Sequence, residues 1–222
     1  METAETFTLR LATEDDIPAL HALIEASVRG LQAGDYTQAQ IEGALGTVLG
    51  LDTQLICDKT YFVVEIEDHE KHGSGDEAPE SSAGSNVRAQ ALTSRLVGCG
   101  GWSNRKTLFG ADHRPGREPE LLNPATDAAK VRAIFVHPDY ARRGLGSLIL
   151  ATVEEAAREA GFKRFEMGST LTGVPLYRLK GYVEVERIGV PLHNGEVVSV
   201  VKMVKPPAMG QTPLRGKDTQ VA

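Results

Sequence analysis

The chain has 222 residues, 41% hydrophobic and 24% charged, enough for one domain with a sizeable core. Its 24 Lys and Arg against 30 Asp and Glu leave a net charge of −6, which excludes a whole-chain basic field for nonspecific nucleic-acid binding. Cys57 and Cys99 stand far apart with no CxxC pair, which excludes a zinc knuckle or a disulfide scaffold and suits a reducing cytosol.

The opening "METAETFTLRLATEDD" has no apolar leader core, and no run reaches the length of a membrane span, so a soluble, untargeted, cytoplasmic protein is expected. "FTLRLAT", Phe7 to Thr13, alternates apolar and polar residues as a half-buried strand does. Thr13 and Asp16 have the spacing of a capping box, and Pro18 fits the first turn of a helix that carries Ile17, Leu20, Leu23, Ile24 and Val28. A second helix is predicted from Thr37 to about Leu49, with Ile41, Leu45 and Val48 on one face, and "YFVVEIE", Tyr61 to Glu67, reads as a strand.

Asp68 to about Ser94 is rich in Gly, Ser, Glu, Asp and Ala, holds part of the acidic excess, and has too little apolar content to offset the entropy of ordering; a disordered insertion is expected. A strand resumes over Leu96 to Trp102. Its "GCGG", Gly98 to Gly101, precedes no helix, so these glycines point to close approach of another group rather than to a phosphate loop. A long irregular loop, 103–129, follows, and then a strand from Lys130 to Val136.

Leu148, Ile149, Val153, Ala156, Ala157 and Ala160 recur at helical spacing, with Gly161 placed to cap the helix end. "FKRFEMGS" is a strand, "VPLYRLK" a short helix with Pro175 in its first turn, "YVEVERI" a strand, and "EVVSVVKMV", Glu196 to Val204, the last strand. One domain is expected over 7–205, followed by a flexible tail, 206–222. Strands interleaved with helices predict a mixed α/β sheet covered on both faces, and no internal repeat is present.

The turn Ala141 to Ser147 lies between a strand end and a helix start, where unpaired N–H groups and the helix dipole favour an anion. Gly144 and Gly146 leave the backbone accessible, and Arg142 and Arg143 add bidentate donors, so a pyrophosphate suits the turn. The nucleotide-triphosphate loop is excluded because no lysine follows Gly146. The dinucleotide fingerprint fits poorly: "HPDYARR" separates Val136 from Gly144, Ile149 stands at its third glycine, and Glu166 is only a weak echo of its ribose-binding acid.

"FVHPDYARRGLGSLIL" resembles the acetyl-CoA-binding motif of the GCN5-related N-acetyltransferase superfamily, a strand, a Val-x-Pro-x-Tyr corner and Gln/Arg-x-x-Gly-x-Gly at a helix start. "STLTGVPLYRLKGYVEV" is similar to that superfamily's closing helix, and the resemblance runs from Phe7 to about Lys205. One departure is Ala141, which stands where Gln or Arg is usual. The resemblance implies an acyl-CoA N-acyltransferase fold with a splayed central sheet. It also implies acetyl-CoA as cosubstrate, and Arg142, Arg143, Gly144, Leu145, Gly146 and Ser147 at the pyrophosphate. Backbone groups of Phe135 and Val136 would bond the pantetheine arm, and Tyr177 would protonate the departing thiolate. The implied partners are a small-molecule or peptide amine acceptor and a second copy of the chain; the alternative is a non-catalytic acyl-CoA sensor of the same fold.

Other readings of the same residues are plainer. Tyr177 also suits a core position beside Leu176 and Leu179, Glu166 a solvated strand, and His137 a turn before Pro138. The other histidines lack ligand spacing, so no metal is expected. Loop 103–129, with Trp102 at its root, is expected to shape the acceptor side.

Overall fold

The computed structural model describes residues 6–68 and 93–207. Short apolar or alternating stretches form the strands β1 (Phe7–Leu11), β2 (Tyr61–Asp68), β3 (Thr93–Ser103), β4 (Ala129–Val136), β5 (Phe165–Ser169), β6 (Val183–Pro191) and β7 (Val197–Lys205). They form one seven-stranded sheet in the order β1-β2-β3-β4-β5-β7-β6, antiparallel except for the parallel pair β4 and β5. Consecutive residues face opposite sides: Val63 and Val200 join one buried cluster, Val64 and Val201 the other. Helices α1 (Ile17–Leu31), α2 (Gln38–Ala44) and α3 (Thr53–Cys57) cover the first face, and α4 (Leu145–Glu159) and α5 (Val174–Leu179) the second. This is the mixed α/β architecture expected from the sequence.

The α1 start is as read: Asp16 accepts from the Thr13 N–H at 2.7 Å and Pro18 lies in the first turn. The helix expected over 37–49 stops at Ala44, because Leu45 leaves the helical region (ψ 134°) and Gly46 turns to φ +76°. α3 is additional to the expected elements; Asp52 caps it, accepting from the Gln54 N–H at 3.2 Å. The expected insertion falls on residues outside those described, except at its ends, where Asp68 and Thr93 are paired strand residues. The tail from 208 also lies outside them.

The glycines of β3 serve close packing. A Cβ on Gly100 would lie 2.6 Å from Ile149 Cγ2 and one on Gly98 2.9 Å from Ile149 Cδ1, so α4 rests directly on the β3 backbone.

β4 determines where the sheet opens. It pairs with β5 only through Ala129, Val131 and the residue between them. Against β3 the register steps from Cys99↔Phe135 to Gly101↔Arg132, so Ala133 and Ile134 together face Gly100. Ala133 takes φ +50°, a left-handed conformation disfavoured for any residue with a Cβ. The bulge turns the Ala133 carbonyl out of the ladder, and the buried Tyr61 hydroxyl donates to it at 3.0 Å while lying 3.2 Å from Cys99 Sγ.

Tyr61→Phe keeps the ring and leaves that carbonyl unsatisfied. We expect a loss of about 1–3 kcal/mol in urea unfolding, together with faster amide exchange along β4; an unchanged midpoint would remove the bulge from the interactions that hold the sheet open.

Candidate active site

Past Val131 the β4 and β5 strands diverge, and a cavity of about 70 Å³ occupies the gap. Because the gap crosses the sheet, both cores contribute walls: Leu49, Phe109 and Phe135 from one, Val131, Met167 and Tyr177 from the other. Backbone direction along β4 follows from the ladder. The His137 N–H donates to Val97 O at 2.9 Å, so by the antiparallel alternation Phe135 also turns its backbone to β3 and Val136 turns its own to the open edge. There the Val136 N–H donates to Ser27 Oγ at 3.3 Å. The Phe135 side chain, in turn, lines the cavity.

At the end of β4 the chain makes a 3-10 turn, Pro138–Tyr140, and enters α4 through two left-handed residues, Arg142 (φ +63°) and Gly144 (φ +89°). Ser147 and Leu148 N–H both donate to Gly144 O at 3.0 Å. The N–H groups of Leu145 and Gly146 precede the first intrahelical bonds and have no acceptor among the described residues. Gly144 is exposed, with nothing within 4 Å of where a Cβ would be, so its glycine serves the backbone conformation and leaves that face open. A Cβ on Gly146 would stand 3.1 Å from Leu176 Cδ2, which sets the first turn of α4 against the helix carrying Tyr177. Arg142 is exposed, and the Arg143 guanidinium lies over the rings of Tyr140 (5.2 Å) and Phe7 (5.7 Å).

Tyr177 is buried at 9% exposure, and burial raises its pKa to about 12. Its hydroxyl has no hydrogen-bond partner among the described residues, so within the cavity it is available to a ligand. Ser169 Oγ, also in the lining, donates to Thr170 O at 2.7 Å. Among the described residues no carboxylate lines the cavity.

A profile of the acetyltransferase (GNAT) family matches residues 57–182, more than half of the chain. The chain belongs to this family. The fold is similar to that of a GCN5-related N-acetyltransferase from Rhodopseudomonas palustris, at 17% identity over 93% of this chain and 99% of that one, with a TM-score of 0.56. It is also similar to the PaiA N-acetyltransferase of Thermoplasma acidophilum in complex with coenzyme A, at 13% identity over 90% of this chain and 99% of that one, TM-score 0.52. Ard1 from Thermoplasma volcanium matches at 13% identity over 91% of this chain and 99% of that one, again with a TM-score of 0.52. At such identities the likeness is one of fold.

In this GNAT chain the loop between β3 and β4, residues 104–128, is built onto the sheet. Phe109 forms part of the cavity wall because Gly168 makes room for it: a Cβ there would lie 2.8 Å from Phe109 Cδ1. The Arg114 guanidinium stacks 4.0 Å over the Phe109 ring and donates to its carbonyl at 3.0 Å. Behind the wall the buried Arg132 donates to Thr107 O (2.9 Å), Gly110 O (2.6 Å) and Asp52 Oδ2 (2.7 Å). Arg117 reaches the other Asp52 oxygen at 2.5 Å. Burial pushes the Arg132 pKa down, and the Asp52 charge opposes that shift.

Two residues given plainer readings in the sequence, His137 and Glu166, have structural partners. His137 caps the 3-10 turn, accepting from the Asp139 N–H at 3.3 Å, and lies 2.8 Å from Arg95 Nη2. Glu166 pairs with Lys130 and Lys202. Sequence reasoning misses Asp52, Arg132 and the segment Val48 to Gly50, which also lines the cavity. The available signal was Arg132 itself, a charge in the middle of the apolar strand "KVRAIFV".

Asp52→Asn strips the buried Arg132 of its counter-charge. We expect a loss of about 3–5 kcal/mol of stability and proteolytic nicking within residues 104–128; a stable, nick-resistant variant would show that the loop is held by other contacts.

Proposed function

We propose that the protein is an N-acetyltransferase, with 7–205 as its domain, that moves the acetyl group of acetyl-CoA to a primary amine by direct attack. The observation that carries this reading is the contact between the two halves of the site: the unbonded N–H groups of Leu145 and Gly146 begin a helix packed against α5, whose Tyr177 hydroxyl opens into the cavity between β4 and β5. Membership of the GNAT family supports it, as does the fold shared with a protein whose structure contains coenzyme A.

Acetyl-CoA supplies an activated acyl group as a thioester. In this reading the Leu145 and Gly146 N–H groups, the positive end of α4 and the Ser147 hydroxyl hold the pyrophosphate, with Arg142 and Arg143 at its outer side across the open face of Gly144. The Val136 backbone, at the open strand edge, exchanges its Ser27 bond for the pantetheine arm, and the Phe135 ring borders the thioester. The acceptor enters through the side walled by Leu49 and Phe109.

With no carboxylate in the lining among the described residues, the amine attacks in its neutral form. A C–N bond forms to the carbonyl carbon, the C–S bond breaks, and one proton must pass from nitrogen to sulfur. A phenol near 12 lies far above an ordinary thiol at about 8.5, so donation by Tyr177 alone runs uphill. The balance closes when the phenol oxygen receives the nitrogen's proton through water as its own proton goes to sulfur. Tyr177 thus relays, and ends neutral.

Two experiments test the halves separately. Ser147→Asp places a carboxylate at a helix N-terminus, which favours the helix but repels a pyrophosphate. We expect coenzyme A affinity by calorimetry to fall on the order of tenfold or more with the melting temperature maintained; unchanged affinity puts the pyrophosphate elsewhere.

Tyr177→Phe should lower single-turnover acetyl transfer by about 10²- to 10⁴-fold and leave coenzyme A binding intact. The wild-type rate should rise with pH as the acceptor ammonium deprotonates, with no descending limb below the phenol's pKa of about 12. A rate untouched by the substitution reduces Tyr177 to a wall residue.

A further inference from the structure

Among the polar residues of the cavity lining that the reaction above does not use, Gln32 is the one whose side chain has a buried atom without a partner among the described residues. Gln32 follows the last residue of α1, and its backbone is fully engaged: its N–H donates to Val28 O at 3.2 Å, and its carbonyl accepts from Asp35 and Tyr36 N–H at 3.0 Å each. The residue is 7% exposed and lines the cavity together with Tyr177, yet its side-chain Oε1 is buried with no hydrogen-bond partner among the described residues. A buried carboxamide oxygen without a donor is unfavourable, and natural proteins keep such groups where a ligand or water supplies the missing bond.

We propose that Gln32 Oε1 receives an N–H of the acceptor amine, and that the acceptor is a small monoamine with an apolar substituent; this rests on the acetyltransferase reading. The group that satisfies Oε1 must be a donor, which the attacking amine is. Accepting one of its N–H bonds orients the nitrogen lone pair, and the uncharged carboxamide does so without holding the amine as an ammonium.

The rest of the lining sets the substituent. Leu49, Leu108, Phe109, Val131 and Met167 present apolar surface. A second ammonium, as in a polyamine, would be desolvated with no carboxylate of the lining to meet it. The carboxylate of an amino acid fares no better, because the charge of Arg132 is already balanced by the buried Asp52. At about 70 Å³ the space is several times the roughly 10–15 Å³ that admits one water, and suits a short apolar chain.

The test uses the whole protein with n-butylamine as probe, spermidine and glutamate as competitors, and acetyl-CoA-dependent thiol release as the readout. Gln32→Met keeps the length and removes the acceptor. We expect at least a tenfold rise in KM for n-butylamine, a smaller change in kcat, unchanged coenzyme A affinity by calorimetry, and a melting temperature equal to or above wild type because the orphaned oxygen is gone. Gln32→Glu retains an acceptor oxygen but holds the amine as an ammonium, so KM should stay within a few-fold of wild type while kcat falls and the rate rises only at higher pH. This keeps the test open if the Met variant folds poorly, and an unchanged kcat and pH profile would overturn the inference.

An unchanged KM in Gln32→Met, or a preference of the wild type for spermidine or glutamate, overturns the inference. So does coenzyme A binding without turnover of n-butylamine. Failure of the wild type to bind coenzyme A at all is a different result, since it removes the acetyltransferase reading itself.

Discussion

One backbone residue governs the centre of this molecule. Ala133 occupies a left-handed conformation in the middle of a strand, and the extra residue it introduces against Gly100 bends β4 away from β5 after Val131. A parallel pair that continued would have closed the sheet and joined the strand edges by hydrogen bonds. Instead the edge stays open, and its polar groups need other partners. Tyr61 takes the Ala133 carbonyl and Ser27 the Val136 N–H. The two bonds differ in kind: the first lies in the dry core, whereas the second is long, borders the opening and can be exchanged.

The neighbour of Ala133 does the complementary work. Arg132 gives three hydrogen bonds from its guanidinium, one to Asp52 and two to carbonyls of the loop. Desolvation of such a charge is costly, and only a partner equally buried offsets it; Asp52, at 1% exposure, is that partner. Opening of the sheet and attachment of the wall that covers the opening are therefore properties of two consecutive residues. Arg132 is among the residues that line the cavity, and Asp52 neutralises its charge there.

Much of this is legible in the sequence. All seven strands are expected from the sequence, the first from alternation and the others from short apolar runs, α4 from its apolar spacing, and the turn before it from Gly144 and Gly146 with their flanking arginines. The "GCGG" stretch marks close packing as its context suggests, and Ile149 is the group that approaches. The bulge is not legible, because positive φ usually announces itself through glycine and here falls on an alanine inside "VRAIFV". α3 escapes notice for its brevity, five residues with a cap that also serves Arg132 eighty positions away. Gln32 carries no signal at all in one dimension; only the surroundings of its side chain single it out.

The two tyrosines of "LYRLKGY" show how one local motif separates into two roles. Tyr182 donates to Glu154 at 3.0 Å, and the same buried carboxylate also accepts from Lys205 and Arg158 at 2.7 and 2.6 Å. That cluster ties β7 and the strand β6 beside it to α4, and Tyr177 packs edge-on against Tyr182 with ring centroids 6.0 Å apart. The Glu154 charge raises the Tyr182 pKa beyond what burial does, whereas for Tyr177 burial alone acts. A tyrosine that met the carboxylate directly would be locked as its donor. Held one ring away, Tyr177 gains the position from the cluster and keeps its proton uncommitted, which is the state the proposed relay between nitrogen and sulfur requires.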